Sequence, residues 1–162
     1  MIGWIGDPLS HINPHPFADA DFAGCVETMR STSGDILVLR GPFTSFPIAA
    51  YSKRQGCVSH STPEAEIVSM DNAMRTLGLP SLTLWATLLP HESELFVHED
   101  NSAMIRVVQT GRNPTMRYLH RTHRCSVAWL HEQMTGRDGV TLVYEGTDRM
   151  AADIFTKAFT TM

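Results

Sequence analysis

The stretch Ser61-Thr62-Pro63-Glu64-Ala65-Glu66, leading into Ile67-Val68-Ser69-Met70, constrains this chain more than any other. Ser61 with Glu64 three residues on has the spacing of a capping box, and Thr62 and Pro63 suit the first turn of a helix. The helical pattern is expected to run to Gly78, where Gly-Leu-Pro stops it. At about 100° per residue, Glu66, Met70, Ala73 and Leu77 form one stripe, and Glu64, Val68, Asp71 and Arg75 fall on the other side. A carboxylate therefore sits on the stripe meant for the core. There it must be paired, protonated or bound to a metal. The ordinary alternative is a helix-end Glu with its head in water.

The remaining elements follow in order. Phe17 to Phe22 alternates as a strand, with Phe17, Asp19 and Asp21 on one face. Pro14 and Pro16 precede it, so the strand should begin late or be distorted. Ser31-Thr32-Ser33-Gly34 is turn chemistry. Asp35 to Arg40 and Phe46 to Ser52 are β runs joined by Gly41-Pro42, which predicts an antiparallel hairpin. After the capped helix, Ser81 to Leu89 is a second helical piece. Glu94 to Glu99 is a strand running into a helix started by Asp100-Asn101-Ser102. Ser126 to Met134 is a helix, Gly139 to Tyr144 the last strand, and Thr147 to Phe159 the last helix. A meander followed by strand–helix alternation predicts an α/β fold with a mixed sheet and helices on its faces.

The 162 residues suit one domain with a true core, read as residues 13–162, with residues 1–12 a linker or N-terminal extension. No apolar run is long enough for a membrane span, and the first residues lack the pattern of a secretory signal. Cys25, Cys57 and Cys125 are odd in number and far apart, which argues against a disulfide framework and for a reducing compartment. Cys57-Val-Ser-His60 and His120-Arg-Thr-His123 lack the partner spacing of a zinc site. The net charge of −4 excludes a general polycation, yet no Asp or Glu lies between Asn101 and His131, where Arg106, Arg112, Arg117, Arg121 and Arg124 fall.

Four acids lie where this architecture would gather them: Asp19 on the first strand, Glu66 on the helix, Asp100 at the carboxyl end of a strand and Asp153 near the C-terminus. Carboxylates converging without Cys or paired His suit hard, oxygen-loving ions such as Mg²⁺ or Mn²⁺. Two such ions about 4 Å apart can activate a water and stabilise a phosphate in displacement. Among 17 acids, spacing alone leaves other readings open: Asp100 as a helix cap, Asp19 or Asp21 in a turn, Asp153 in solvent.

The segments Asp19-Ala-Asp21-Phe-Ala-Gly24, Arg30-Ser-Thr-Ser-Gly34, Ser52-Lys-Arg-Gln55, Ser61-Thr-Pro-Glu64-Ala-Glu66, Glu99-Asp100-Asn101, Asn113-Pro114, Arg121-Thr122-His123 and Ala152-Asp153-Ile154-Phe155-Thr156-Lys157-Ala158 occur in this order. Together they resemble the ribonuclease H domain of copia-type retrotransposon polyproteins. The resemblance implies a ribonuclease H-like fold, a five-stranded mixed sheet with helices on both sides. It implies two-metal-ion hydrolysis, with Mg²⁺ or Mn²⁺, of the RNA strand of an RNA–DNA hybrid made during reverse transcription. It places the catalytic, metal-binding acids on Asp19, Glu66, Asp100 and Asp153, favouring Asp19 over Asp21 and Glu66 over Glu64. Glu64 is then expected to cap the helix and face water. The prolines before Asp19 and the stretch Thr115 to His120 depart from the family pattern, so no assisting histidine is assigned, and an ordinary surface role is expected for His120 and His123.

A hybrid would be held through phosphates and 2′-hydroxyls. Arg117, Arg121 and Arg124 are the candidate contacts, and Lys53, Arg54 and Gln55, which follow a strand, are further ones; a solvated basic loop is the plain alternative. The expected partners are the hybrid and the reverse transcriptase portion of the same polyprotein, with no membrane. The expected location is cytoplasmic, including virus-like particles, or nuclear, and not secreted. The alternative function is a catalytically inactive remnant or nucleic-acid-binding module; an integrase-like nuclease on the same superfold is a further one.

Overall fold

Three strands in a row build one half of a sheet: β1 (Asn13–Asp21), β2 (Thr32–Arg40) and β3 (Ser45–Arg54) pair as an antiparallel meander. The computed structural model describes residues 5–88 and 91–157. β4 (Leu95–Glu99) lies parallel to β1, and β5 (Val140–Tyr144) parallel to β4, giving a five-stranded mixed sheet in the order β3-β2-β1-β4-β5. Parallel neighbours need long crossovers, and helices fill them. α1 (Thr62–Ala73) and α2 (Leu79–Leu88) precede β4; α3 (Ser102–Thr110), α4 (Leu119–Thr122) and α5 (Val127–Thr135) separate β4 from β5.

On one face Ile67, Met70 and Met74 pack with Ala18, Leu95 and Val97 of the sheet, and with Met104, Val108, Leu130 and Met134 of α3 and α5. On the other face Phe17, Ile36 and Val38 are covered by Met150, Ala152 and Phe155. Each fully buried side chain of this size contributes about 1.5–3 kcal/mol. The cover of the second face differs from the expected last helix. Among the described residues it consists of short 3₁₀ turns, Thr147–Arg149 and Asp153–Phe155. Phe159 and Ala158 lie outside the described residues, as does Leu89.

Strand β1 begins at Asn13, before both prolines, and its pairing with β2 runs unbroken from Asn13 to Asp21. Successive backbone N–H groups point to alternate edges, so Pro14 and Pro16 both lack a donor on the same edge. That edge is the one toward β4, where β1 pairs only through Phe17 and His98. The expected late start is thus corrected. The prolines thin the β4 ladder and leave the β2 ladder whole.

Thr32, Ser33 and Gly34, expected in a turn, belong to β2. Gly34 stands opposite Asp19 and permits close approach of the C-terminal segment: a Cβ there would meet Thr156 Cγ2 at 2.7 Å and the Ala152 carbonyl at 2.9 Å.

The helix does not stop at Gly78. Pro80 has no N–H to close a helical bond, and the chain accommodates it by widening. Met74–Gly78 forms a π turn in which Leu79 N–H donates to Met74 O, and α2 continues directly. Asn101, not Asp100, caps α3, its Oδ1 accepting from Met104 N–H at 3.0 Å, which leaves the Asp100 carboxylate free of that task. Among the described residues no helix is long and apolar enough to cross a membrane.

Candidate active site

The C-terminal end of β1 carries Asp19, whose Oδ2 accepts from Thr156 Oγ1 at 2.5 Å. Its backbone carbonyl lies 2.7 Å from Ser69 Oγ on α1. Ser69 Oγ is also 3.0 Å from Asp35 Oδ1, and Asn72 donates to the other Asp35 oxygen. Asp35 is fully buried on β2, and burial pushes its carboxyl up to about 6. The helix bearing Glu66 is therefore fastened to the strand bearing Asp19 one turn beyond the glutamate. Asp100 follows β4, and Thr147 Oγ1 donates to its Oδ2 at 2.8 Å.

Asp19, Glu66 and Asp100 each bring one carboxylate oxygen within 4.8 Å of the others. Asp21, which strand alternation could not distinguish from Asp19, turns away and lies against Gly24, where an added Cβ would sit 1.5 Å from its Oδ2. Asp153 stands in the 3₁₀ turn beside the cluster, outside that group of three. It pairs with Lys157, and its charge helps raise the carboxyl of Asp19.

Burial and mutual repulsion dominate the electrostatics of this group, with the exposed Lys157 ammonium beside Asp153 as a cation that also feels Asp19 and Asp100. Burial, then the charges of Glu99, Asp19 and Asp100, push Glu66 up to about 10, while the Ala20 N–H works against them. Burial, then Asp100 and Asp153, raise Asp19, with the Thr156 bond opposing. Glu99, expected only as the last residue of a strand and absent from the four acids above, is fully buried behind the cluster. Its Oε1 accepts from Asn101 N–H at 3.0 Å, and burial drives its carboxyl far above the usual range. Glu66 Oε2 and Glu99 Oε2 have no hydrogen-bond partner among the described residues. Buried carboxylate oxygens without donors are rare unless a cation or ordered water completes them. An oxygen-only donor set of this kind suits Mg²⁺ or Mn²⁺ and offers nothing to a thiophilic metal.

Half of the capping box at Ser61 forms: Ser61 Oγ accepts from Glu64 N–H at 3.3 Å, while Glu64 Oε2 reaches one residue further back and accepts from His60 N–H at 3.0 Å. Glu64 nevertheless does not face water. It is 1% exposed, and its carboxylate also accepts from Tyr118 Oη at 2.7 Å and from His123 Nε2 at 3.1 Å. The helix turns Glu64 outward from the sheet as expected, and the segment Gly111 to Arg124 covers it. The His123 side chain is 1% exposed, so an ordinary surface role is corrected too; His120 is exposed. Cys57 Sγ donates to Thr122 O at 3.0 Å, which occupies that thiol without a metal.

Arg117, Arg121 and Arg124 are all exposed, as are Lys53 and Arg54. Arg54 pairs with Thr32 and Thr32 with Asp21, so Lys53 and Arg54 stand at the same end of the sheet as Asp19. A cleft of about 130 Å³ lined by Lys53, Arg54, Gln55, Arg75 and His123 separates them from the basic segment.

Replacing Gly34 with Ala tests how closely this site depends on its C-terminal cover. The added methyl meets the Ala152 carbonyl and Thr156, so denaturant unfolding should show a loss of about 1–3 kcal/mol. Stabilisation by added Mn²⁺ should weaken as Thr156 leaves Asp19. A variant as stable and as metal-responsive as the parent would refute the tight packing.

No known family's sequence profile matches the chain. Among solved structures, it is similar to the N-terminal ribonuclease H domain of a Mycobacterium tuberculosis protein fused to maltose-binding protein. The two share 15% identity over 90% of this chain and 91% of that one, with a TM-score of 0.53. The foamy viral protease–reverse transcriptase in complex with double-stranded DNA matches over the same shares, at 14% identity and a TM-score of 0.48. Sheet order, strand directions and the first of these similarities together establish that the chain has a ribonuclease H-like fold.

Proposed function

We propose that the chain is a divalent-metal-dependent nuclease that hydrolyses the RNA strand of RNA–DNA hybrids during reverse transcription of a retrotransposon. The observation that carries the reading is the convergence of Asp19, Glu66 and Asp100 with buried carboxylate oxygens left without donors. In this reading Asp19, Glu66 and Asp100 hold two Mg²⁺ or Mn²⁺ ions, with Asp153 at their margin. When bound, such ions supply an activated water and offset the charge that develops on the phosphate. The chain's own part is to fix the acids beforehand. Thr156 and Thr147 each donate to one oxygen of Asp19 and Asp100, so each carboxylate presents its other oxygen. Ser69 holds α1 against β1, and Glu99 sets a further buried carboxylate behind the site. Arg117, Arg121, Arg124, Lys53 and Arg54 are assigned to the phosphates of the hybrid.

The remaining features of the reading rest on the family resemblance: a reverse transcriptase portion as partner, and work in the cytoplasm, in virus-like particles or in the nucleus. Degradation of a labelled hybrid with Mg²⁺ or Mn²⁺ tests the function, comparing the parent with Asp100→Asn. Cleavage by the parent and none by the variant is the expected result. Cleavage indifferent to the substitution would sink the mechanism. A folded protein that binds the hybrid without cutting it would favour a binding module instead.

A further inference from the structure

A capping-box glutamate does its work from the surface, where one carboxylate oxygen reaches back to a backbone N–H. Glu64 reaches one residue past the N-cap, to the His60 N–H, and is buried besides. Its Oε2 takes Tyr118 Oη together with the His60 N–H, and its Oε1 takes His123 Nε2. A carboxylate only accepts, so His123 carries its proton on Nε2. Both donors come from the acid-free segment, far along the chain from α1. The same attachment is repeated on either side. Cys57 Sγ donates to Thr122 O, and the His60 ring meets the Tyr118 ring edge-on at 5.7 Å.

The arginines stand immediately around these anchors. Arg117 precedes Tyr118, and Arg121 and Arg124 bracket His123; all three are exposed. Arg124 has a φ of 58°, the left-handed region that a long side chain rarely adopts. It is held there between His123, locked on Glu64, and Cys125, which is 2% exposed. Unfavourable backbone of this kind persists only where its surroundings over-determine it. In Arg124 it directs a guanidinium into solvent.

We infer that Glu64, Tyr118 and His123 form a clasp that positions the basic segment for a nucleic acid backbone, at a fixed distance from the metal-binding acids. The inference rests on the nuclease reading above. Glu64 and Glu66 share the first turns of one rigid helix, so the anchor of the arginines and a ligand of the candidate metal centre move together. The clasp residues are positioning residues. They carry no phosphate contact themselves, and their effect should appear as lost phosphate contacts.

The experiment measures Kd for an RNA–DNA hybrid at several salt concentrations, with chelator present to prevent cleavage. It compares the parent with Tyr118→Phe, His123→Ala and His123→Gln. The two disrupting variants should bind about 3- to 10-fold more weakly at low salt, and the slope of log Kd against log salt should fall by about one phosphate equivalent or more. Glutamine keeps an N–H donor for Glu64, so His123→Gln should recover part of both. Steady-state cleavage should show KM raised with kcat kept, and stabilisation by Mn²⁺ should stay at the parent value because Asp19, Glu66 and Asp100 are untouched. Parent-like affinity and slope in Tyr118→Phe and His123→Ala would overturn the clasp while leaving the nuclease reading intact. Weaker binding with an unchanged slope would overturn its positioning role and leave only support of the fold. A parent protein that does not bind the hybrid would overturn the nuclease reading, and the clasp with it.

Discussion

Glu66→Gln is expected to reduce hybrid cleavage by about 1000-fold or more, the rate equivalent of losing several kcal/mol of metal-mediated stabilisation of the transition state. The fold should survive and even gain. Glutamine has the shape of the protonated acid and removes a charge that Glu99, Asp19 and Asp100 oppose. The pH dependence has a definite sign. Burial and those neighbours hold Glu66 at about 10 in the folded chain, against an ordinary value of 4.5. Its contribution to metal-free stability is therefore complete below about pH 4.5 and is lost as pH rises toward 10. The variant should lack this decline. Mn²⁺ should raise the Tm of the parent, more so at higher pH as protons leave the site, and should do much less for the variant. Unchanged cleavage in a folded Glu66→Gln protein would remove Glu66 from the mechanism. Glu64→Gln offers the contrast: it should keep the response to metal and lose stability, because an amide cannot accept from His60, Tyr118 and His123 at once.

The two glutamates also illustrate what the sequence makes legible. Local rules located the helix, its cap and the face of Glu66, because capping and periodicity depend on residues within a turn or two of each other. The same rules sent Glu64 into water. Nothing within a turn of it announces Tyr118 and His123, more than fifty positions away. Pro80 is a stop by local rules for the same reason, since a π turn is a tertiary accommodation and not a local preference. Pro14 and Pro16 spoke against a central strand, yet both fall on the edge that barely pairs. Thr156 and Thr147, which fix Asp19 and Asp100, gave no signal of their own. A threonine is ordinary anywhere, and only the packing of the C-terminal turns over β1 and β2 gives these two a role. Glu99 could have been noticed. A carboxylate closing an apolar strand directly before Asp100 is an unusual neighbour, and a fully buried one changes the charge of the whole centre.

Acid should unfold this protein through a group on the sheet face opposite α1. His15 of β1 and His98 of β4 stack at 5.1 Å and share a hydrogen bond of 2.8 Å between Nδ1 and Nε2. Phe17 stacks on His98, Phe96 on His15, and the Arg40 guanidinium lies over the Phe17 ring. Glu145 approaches His98 Nδ1 to 3.0 Å and is itself engaged by Arg149 and Arg40. Burial, then the neighbouring His98 and Arg40, lowers His15 to about 3, and burial with Arg40 lowers His98 to about 4. Both rings are therefore neutral in the folded protein at pH 7, while the unfolded chain takes up protons from about pH 6.5 downward. Their stabilising contribution is present above 6.5 and lost as pH falls toward 4. Solvent reaches part of His15, so the loss for the pair is set at about 3 kcal/mol, roughly half of the unscreened conversion. Asp35, Asp19 and Glu66 have raised values and act in the opposite direction. The total profile therefore mixes the two, and the difference between proteins isolates the histidines. Replacing both with Phe keeps the stack and removes the titration. Urea unfolding of parent and double variant between pH 4 and 7.5 should give a stability difference that shifts steadily toward the variant as pH falls below 6.5. A difference that stays flat across that window would mean the two rings are solvated enough to accept protons in place, and that the thin β1–β4 ladder is not where acid opens the sheet.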